Sequence, residues 1–263
     1  MSIPHDQYLR YIDHDVLEET LTFHCKGNYL IHPLNQHMST LHHLSDTELS
    51  TLTGNELQLN ILDSGTEDAQ RKMIALDPQH PLHRENSPSF FEPKQLTFPE
   101  IKNILSPLLC KTASSYHRGY ASGGALYPVD VFCCNLQHTP SDWPDATPIL
   151  HVLQRSRSFE KITHTTDSAL LHQIFGRTIT EIGNPAVALI YFIYLPKALF
   201  KYRFRGYRLS LLEAGEMAML IDLRCKELNL RNRLWSGFTD HEITQALNLN
   251  PAFFLPVCIQ FIG

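Results

Sequence analysis

The sequence predicts an α+β fold in which strands and helices share a core without a strict β-α-β rhythm. Val129–Leu136 and Pro185–Tyr194 are apolar runs of strand length, rich in β-branched and aromatic residues. Arg208–Leu228 keeps helical spacing through Leu209, Leu212, Met219 and Leu223, enough for a rise of roughly 30 Å. A further apolar run, Pro256–Ile262, follows that helix and supplies a last strand.

The other elements follow in chain order. Asp13–His24 has a helical rhythm in Val16, Leu17, Leu21 and Phe23. His37–Asp46 and Asp63–Asp68 are polar and broken, and Asp77–Pro93 holds Pro78, Pro81, Pro88 and Pro93. Proline blocks helix continuation, so this stretch reads as extended, a link or a wrapping segment. The expected division is therefore an N-terminal extension over 1–80, a possible docking segment, and a main domain over 81–263. Thr97 caps a helix through Glu100, Ile101, Ile104 and Leu105. A Gly-containing loop, Tyr116–Pro128, leads into the strand at Val129. Ile149–Leu153 is a short strand, and Ser168–Phe175 a short helix. Pro185–Tyr194 reads as a central strand with proline at its start. A basic, aromatic loop over Lys197–Tyr207 precedes the long helix, which reads as a core or dimer-interface element. Arg231–Phe238 is a short strand entering a loop, and Thr239 or Asp240 caps a helix over Glu242–Leu247.

Bulk properties exclude several classes. The 263 residues carry a formal net charge of −5, which argues against a nucleic-acid binder. No apolar run reaches the roughly 20 residues that span a bilayer. Met1–Tyr11 lacks the apolar centre of a signal peptide, so no membrane partner and a cytoplasmic location are expected. The six cysteines show no Cys-x-x-Cys spacing and read as reduced core thiols. Cys133 and Cys134 are adjacent on a strand and should point to opposite faces. Among the 15 histidines, His32, His37, His42 and His43 show no metal-ligand spacing, and no metal is expected. Gly-x-Gly-x-x-Gly, P-loop and Gly-x-Ser-x-Gly motifs are also missing.

Three stretches could carry chemistry. In Arg118-Gly-Tyr-Ala-Ser-Gly-Gly-Ala-Leu-Tyr-Pro128, adjacent glycines let backbone approach a flat ligand, and Arg118 and Ser122 add donors. From composition alone, an ordinary loop before a strand is the simpler reading. In Lys201-Tyr-Arg-Phe-Arg-Gly-Tyr-Arg208, cations precede a helix N-terminus, a combination suited to phosphate. Lys201 beside Tyr202 also suits acid/base work, since an ammonium stabilises a phenolate. A solvated basic loop explains the same residues equally well. In Trp235-Ser-Gly-Phe-Thr-Asp240, a glycine corner could present N–H groups to a ligand edge, although a turn plus a helix cap suffices.

Taken together, the order Ser-Gly-Gly-Ala-Leu-Tyr-Pro, Lys-Tyr-x-x-Arg-Gly-Tyr-Arg running into Leu-Leu-Glu-Ala-Gly-Glu, and Trp-Ser-Gly-Phe-Thr-Asp resembles one family. It is that of the azoline dehydrogenases, the flavin subunits of microcin B-type thiazole/oxazole peptide synthetases, within the nitroreductase-like superfamily. The likeness is dense over 115–136 and 185–263.

The resemblance implies a nitroreductase-like FMN-binding fold with an N-terminal extension, a homodimer, and flavin at the subunit interface. Arg118, Ser122, Gly123 and Gly124 should line the flavin. Ser236 and Gly237 match the corner whose backbone faces the flavin N5. Arg205 and Arg208 become the phosphate candidates, because the early Arg-x-Ser-x-Arg element of many relatives is absent: His83–Leu96 offers only Arg84 and Lys94. Lys201 and Tyr202 match the pair regarded as catalytic. The implied activity is oxidation of thiazolines and oxazolines in a ribosomal precursor peptide to thiazoles and oxazoles, with cyclodehydratase subunits as partners. An NAD(P)H-dependent nitro or quinone reductase would share the fold, and the Lys201–Tyr202 pair favours the azoline branch over it. A non-catalytic scaffold subunit of a peptide-modifying complex is the other alternative, and it would hold no flavin.

Overall fold

The computed structural model describes residues 5–28, 45, 47–48, 51, 77, 80, 82–112, 114–137, 142–144, 148–162, 174–175 and 179–263. Residues 1–30 and 84–263 pack as one compact unit, and 31–83 as another. The four candidate histidines, and most of the expected helix at Ser168–Phe175, lie outside the described residues.

The first unit is built on six antiparallel strands: β1 (Val129–Asn135), β2 (Ile149–Leu153), β3 (Ser158–Lys161), β4 (Val187–Tyr194), β5 (Asn232–Trp235) and β6 (Phe254–Ile262). Their order is β3-β2-β1-β4-β6-β5. The apolar run at 185–194 becomes the centre of this sheet. β4 pairs with β1 on one side and β6 on the other, and all its residues are buried. A strand covered on both faces needs no polar alternation, which is why it reads as continuous apolar sequence.

Period-two geometry sorts the strand residues into two cores. Val129, Val131, Cys133, Leu189, Tyr191 and Ile193 face helices α3 (Phe98–Leu105), α4 (Leu195–Tyr202) and α5 (Phe204–Glu227). Phe132, Cys134, Ile190, Phe192 and Phe261 join Phe91, Phe175 and helix α6 (Asp240–Ala246) on the other face. The two adjacent cysteines thus fall in separate cores, and burial pushes the Cys133 thiol up to about 12.

α3 starts where the sequence places it. Thr97 accepts from the Glu100 N–H, and the Glu100 carboxylate accepts from the Thr97 N–H at 2.7 Å, a reciprocal cap. Near the chain start, α1 (His5–Leu9) and α2 (His14–Lys26) belong to the same unit, with Val16 in the first core. Residues 86–88 of the proline segment run alongside edge strand β5: Arg231 donates to the Asn86 carbonyl at 2.9 Å and Arg233 to the Pro88 carbonyl at 3.0 Å.

The expected loop at Lys197–Tyr207 is instead helical, and this is a correction. Pro196 stands in the first turn of α4, where its missing N–H costs nothing. Leu195, Ala198 and Leu199 bury one face, while Lys201 stays exposed. Amphipathic burial therefore outweighs the charge density that suggested a loop. Arg203, at φ 52° and ψ −137°, breaks the chain between α4 and α5. The two helices then cross so tightly at Gly206 that any Cβ there would run into the Ala198 carbonyl.

Candidate active site

The site grows from the turn that feeds β1. Ser122 is extended, and residues 123–125 form a single 3-10 turn with Gly124 at φ 64°. Ala125 and Tyr127 also take positive φ, at 54° and 52°. The Tyr127 N–H donates to Ser122 Oγ at 2.8 Å and closes the turn.

This turn lies directly against the end of α4. A Cβ on Gly124 would stand 2.5 Å from Tyr202 Oη and 3.0 Å from Lys201 Nζ. The Lys201 ammonium lies 5.2 Å from the centre of the Tyr202 ring. Two stretches far apart in sequence thus meet at one point, and only a residue without a side chain fits between them. Gly123 packs on Leu209 of α5.

Arg118 turns inward. Its guanidinium sits 4.2 Å from the centre of the Tyr127 ring, and Nη1 donates to Tyr120 at 2.8 Å and to Gln154. Its Nε is buried without a hydrogen-bond partner among the described residues. Arg205 and Arg208 lie in the first turns of α5, exposed and without an ion pair to another described residue. Arg203 pairs with Asp13 of the N-terminal segment.

The third stretch follows β5. Trp235 Nε1 donates to the Gly237 carbonyl at 2.8 Å, which fixes the corner. Among the described residues, neither Ser236 nor Gly237 donates its N–H to a protein acceptor. The corner runs into α6, whose Asp240 lies 4.0 Å from His24 Nε2, while His24 Nδ1 is 2.9 Å from the Tyr207 hydroxyl. A histidine from α2 thus ties the corner to α5. Among the described residues, no hydrogen bond joins Ser236 or Gly237 to Gly123 or Gly124.

Sequence reading passed over the charged groups beneath the turn. Glu213 of α5 is 2% exposed and accepts from the Val129 N–H at 3.3 Å. Burial pushes its carboxyl up to about 7, against the pull of the neighbouring Ser122 hydroxyl, the Val129 N–H, Arg118 and Lys197. Burial draws the Lys197 ammonium down, and the nearby Asp130 carboxylate opposes that. The one signal for Glu213 was its place in Leu-Leu-Glu-Ala-Gly-Glu, where two acids three residues apart look like ordinary helix surface.

No family model matches the chain. The microcin B17-processing protein McbC of Escherichia coli is 32% identical over 257 residues, covering 96% of this chain and 92% of that protein. The chain belongs to the McbC family. The E. coli microcin synthetase McbBCD complex, solved with truncated pro-MccB17 bound, contains a chain that this McbC-family protein matches at a TM-score of 0.83 and 29% identity. That match spans 100% of this chain and 97% of the other. A structure assigned as a nitroreductase from Ralstonia eutropha matches at a TM-score of 0.56 and 14% identity, over 73% of this chain and 85% of that one. The fold is nitroreductase-like, as the sequence motifs imply. Among the described residues, no helix is long and apolar enough to cross a membrane, and no group of three His, Cys, Asp or Glu side chains could hold a metal ion.

Proposed function

We propose that this McbC-family chain is an FMN-dependent dehydrogenase that oxidises thiazolines and oxazolines in a precursor peptide to thiazoles and oxazoles. The observation that carries this reading is the meeting of Gly124 with Tyr202 Oη and Lys201 Nζ. A phenol and an ammonium, groups suited to acid/base work, meet the diglycine turn at one point, and this supports the reading.

The residues present fit FMN. The diglycine turn carries its backbone to the Lys201–Tyr202 pair, and exposed Arg205 and Arg208 at the start of a 24-residue helix suit a phosphate dianion. The Ser236 and Gly237 N–H groups suit a ring edge, and Ser122 and Arg118 would shape the wall behind the turn. Bound FMN would supply the two-electron acceptor. The chain's own task is then to orient the peptide ring and move a proton. The Tyr202 oxygen takes the proton from the azoline ring carbon, and the Lys201 ammonium stabilises the negative charge at that oxygen. Each ring loses two electrons and two protons and becomes aromatic.

Tyr202→Phe and Lys201→Ala should retain bound flavin while azole formation falls about 10²–10⁴-fold. The assay is mass spectrometry of an azoline-bearing peptide, which loses about two mass units per ring oxidised. Full activity in both variants, with flavin bound, would refute the assignment.

The match to a chain of the McbBCD complex supports a synthetase setting, with the precursor peptide and cyclodehydratase subunits as partners. A second copy is the further partner in this reading. Phe204, Leu211, Leu212 and Met219 expose 38–60% of their surface along α5, around Gly215, which has open space beside it. Leu212→Glu should halve the mass seen by light scattering, and an unchanged dimer or a wild-type monomer would remove this face from consideration.

A further inference from the structure

We infer that Glu213 is a positioning residue, which holds both ends of the diglycine turn so that Gly124 seats against Lys201 and Tyr202. The inference deepens the proposed function and rests on it for its consequence.

The turn needs an external hold. Ala125 and Tyr127 both take positive φ, a conformation disfavoured for residues with a Cβ, and they flank Leu126 within a few residues of Gly124. Such strain persists only where surrounding contacts over-determine it. α5 supplies those contacts. At the far end of the turn, the Val129 N–H donates to Glu213 Oε1 at 3.3 Å. At the near end, Ser122 lies beside the same carboxyl, and its Oγ also receives the Tyr127 N–H. One turn of helix later, Glu216 accepts the Ala121 N–H at 3.0 Å. Two carboxylates three residues apart on one helix therefore grip the segment before and after the glycines.

Glu213 differs from Glu216 in its surroundings. Its side chain is almost fully buried, and Oε2 has no hydrogen-bond partner among the described residues. The groups that face it come from three directions: Arg118 and Tyr120 on the incoming loop, Lys197 on α4, and Ser122 with the Val129 N–H on the turn itself. Ionised, the carboxyl is the stronger acceptor for the turn's donors. Protonated, it holds them less firmly. The ammonium of Lys197 and the guanidinium of Arg118 favour the ionised form, while burial opposes it. A buried acid that titrates near neutrality is an expensive way to fill a core, and it has a mechanical reason here.

Glu213→Gln keeps the shape and removes the charge. With the full chain, FMN titration by flavin fluorescence should show about tenfold weaker binding at pH 8, the loss expected for one charge-assisted hydrogen bond. Wild-type affinity should fall from pH 8 to pH 6, and the variant's should not follow it. Comparing the two chains at each pH cancels the titration of the FMN phosphate. Hydrogen exchange supplies a flavin-free reading: the Tyr127 and Val129 amides should exchange faster in the variant, while β4 amides stay unchanged. Exchange at those two amides equal to wild type, or an FMN affinity with the wild-type pH profile, overturns the inference. If wild type takes up no flavin, the flavin reading fails and the exchange result alone decides the role of Glu213. Should Glu213→Gln fail to fold, wild type itself decides. Protection of the two amides, referenced to β4, must drop from pH 8 to pH 6, and a constant ratio overturns the inference.

Discussion

On one face of the sheet, Phe132, Phe192 and Phe261 meet Phe91, Phe175 and Phe238 in a core of rings, with Phe132–Phe192 and Phe175–Phe261 edge to face at 5.3 and 5.7 Å. On the other, α5 brings Glu213 to 2% exposure beside Arg118 and Lys197. Both faces are packed by the same strands. The aromatic face gains from every buried ring. The helical face carries ionisable groups whose burial works against folding and shifts their protonation. The difference teaches where stability and chemistry divide: the diglycine turn and the Lys–Tyr pair sit on the face that bears the cost, and the opposite face offsets it.

Five variants would break or sharpen this contrast. Phe261→Ala removes a fully buried ring from the aromatic face and should cost about 3–5 kcal/mol in urea unfolding, with azole formation per folded molecule unchanged. A loss below about 1 kcal/mol would mean that the aromatic face is not the main store of stability.

Glu213 comes next. Its folded carboxyl titrates at about 7, above the ordinary carboxylate range, so the folded chain binds that proton more tightly than the unfolded chain. The associated stability is full below about pH 4.5 and is lost as pH rises through about 7, amounting to roughly 3 kcal/mol. Urea midpoints between pH 5 and pH 8 should therefore fall in wild type and fall less in Glu213→Gln. Parallel slopes would show that the carboxyl is not the source.

The two glycine sites form a smaller, internal comparison. Gly124→Ala places a methyl where Tyr202 Oη and Lys201 Nζ stand, at a positive φ, and should cost on the order of 1–2 kcal/mol in folding and about 10²-fold in azole formation. Gly237→Ala meets only the Trp235 ring at 3.3 Å and should alter both far less. Equal effects at the two sites would detach the turn from the Lys–Tyr pair. The smallest effect belongs to Thr97→Ala, which removes the α3 cap and should lower stability by about 1 kcal/mol without touching activity.

Much of the fold was readable before any coordinates. β4 announced itself as a continuous apolar run, and α3 through the Thr97–Glu100 pair, because period and capping are local properties. Strand β3 went unexpected, since Ser158–Lys161 is short, polar and exposed at the sheet edge. The loop expected at Lys197–Tyr207 became α4 and the start of α5 because Leu195, Ala198 and Leu199 find a core to bury against. The guanidinium of Arg118, a residue read from sequence as lining the ligand, lies against Tyr120, Tyr127 and Gln154. Gln154 follows β2, which no local pattern connects to residue 118.

The amino-acid sequence by itself determined the α+β class, the central strands, the Thr97 cap and the residue types at the turn, the Lys–Tyr pair and the corner. These are set by side-chain shape and spacing over a few residues. Only the tertiary structure decided that Gly124 touches Lys201 and Tyr202, and that Glu213 lies buried beneath the same turn. Proximity between distant segments and the energy of a buried charge both depend on what packs around a residue, and no single stretch of chain contains that information.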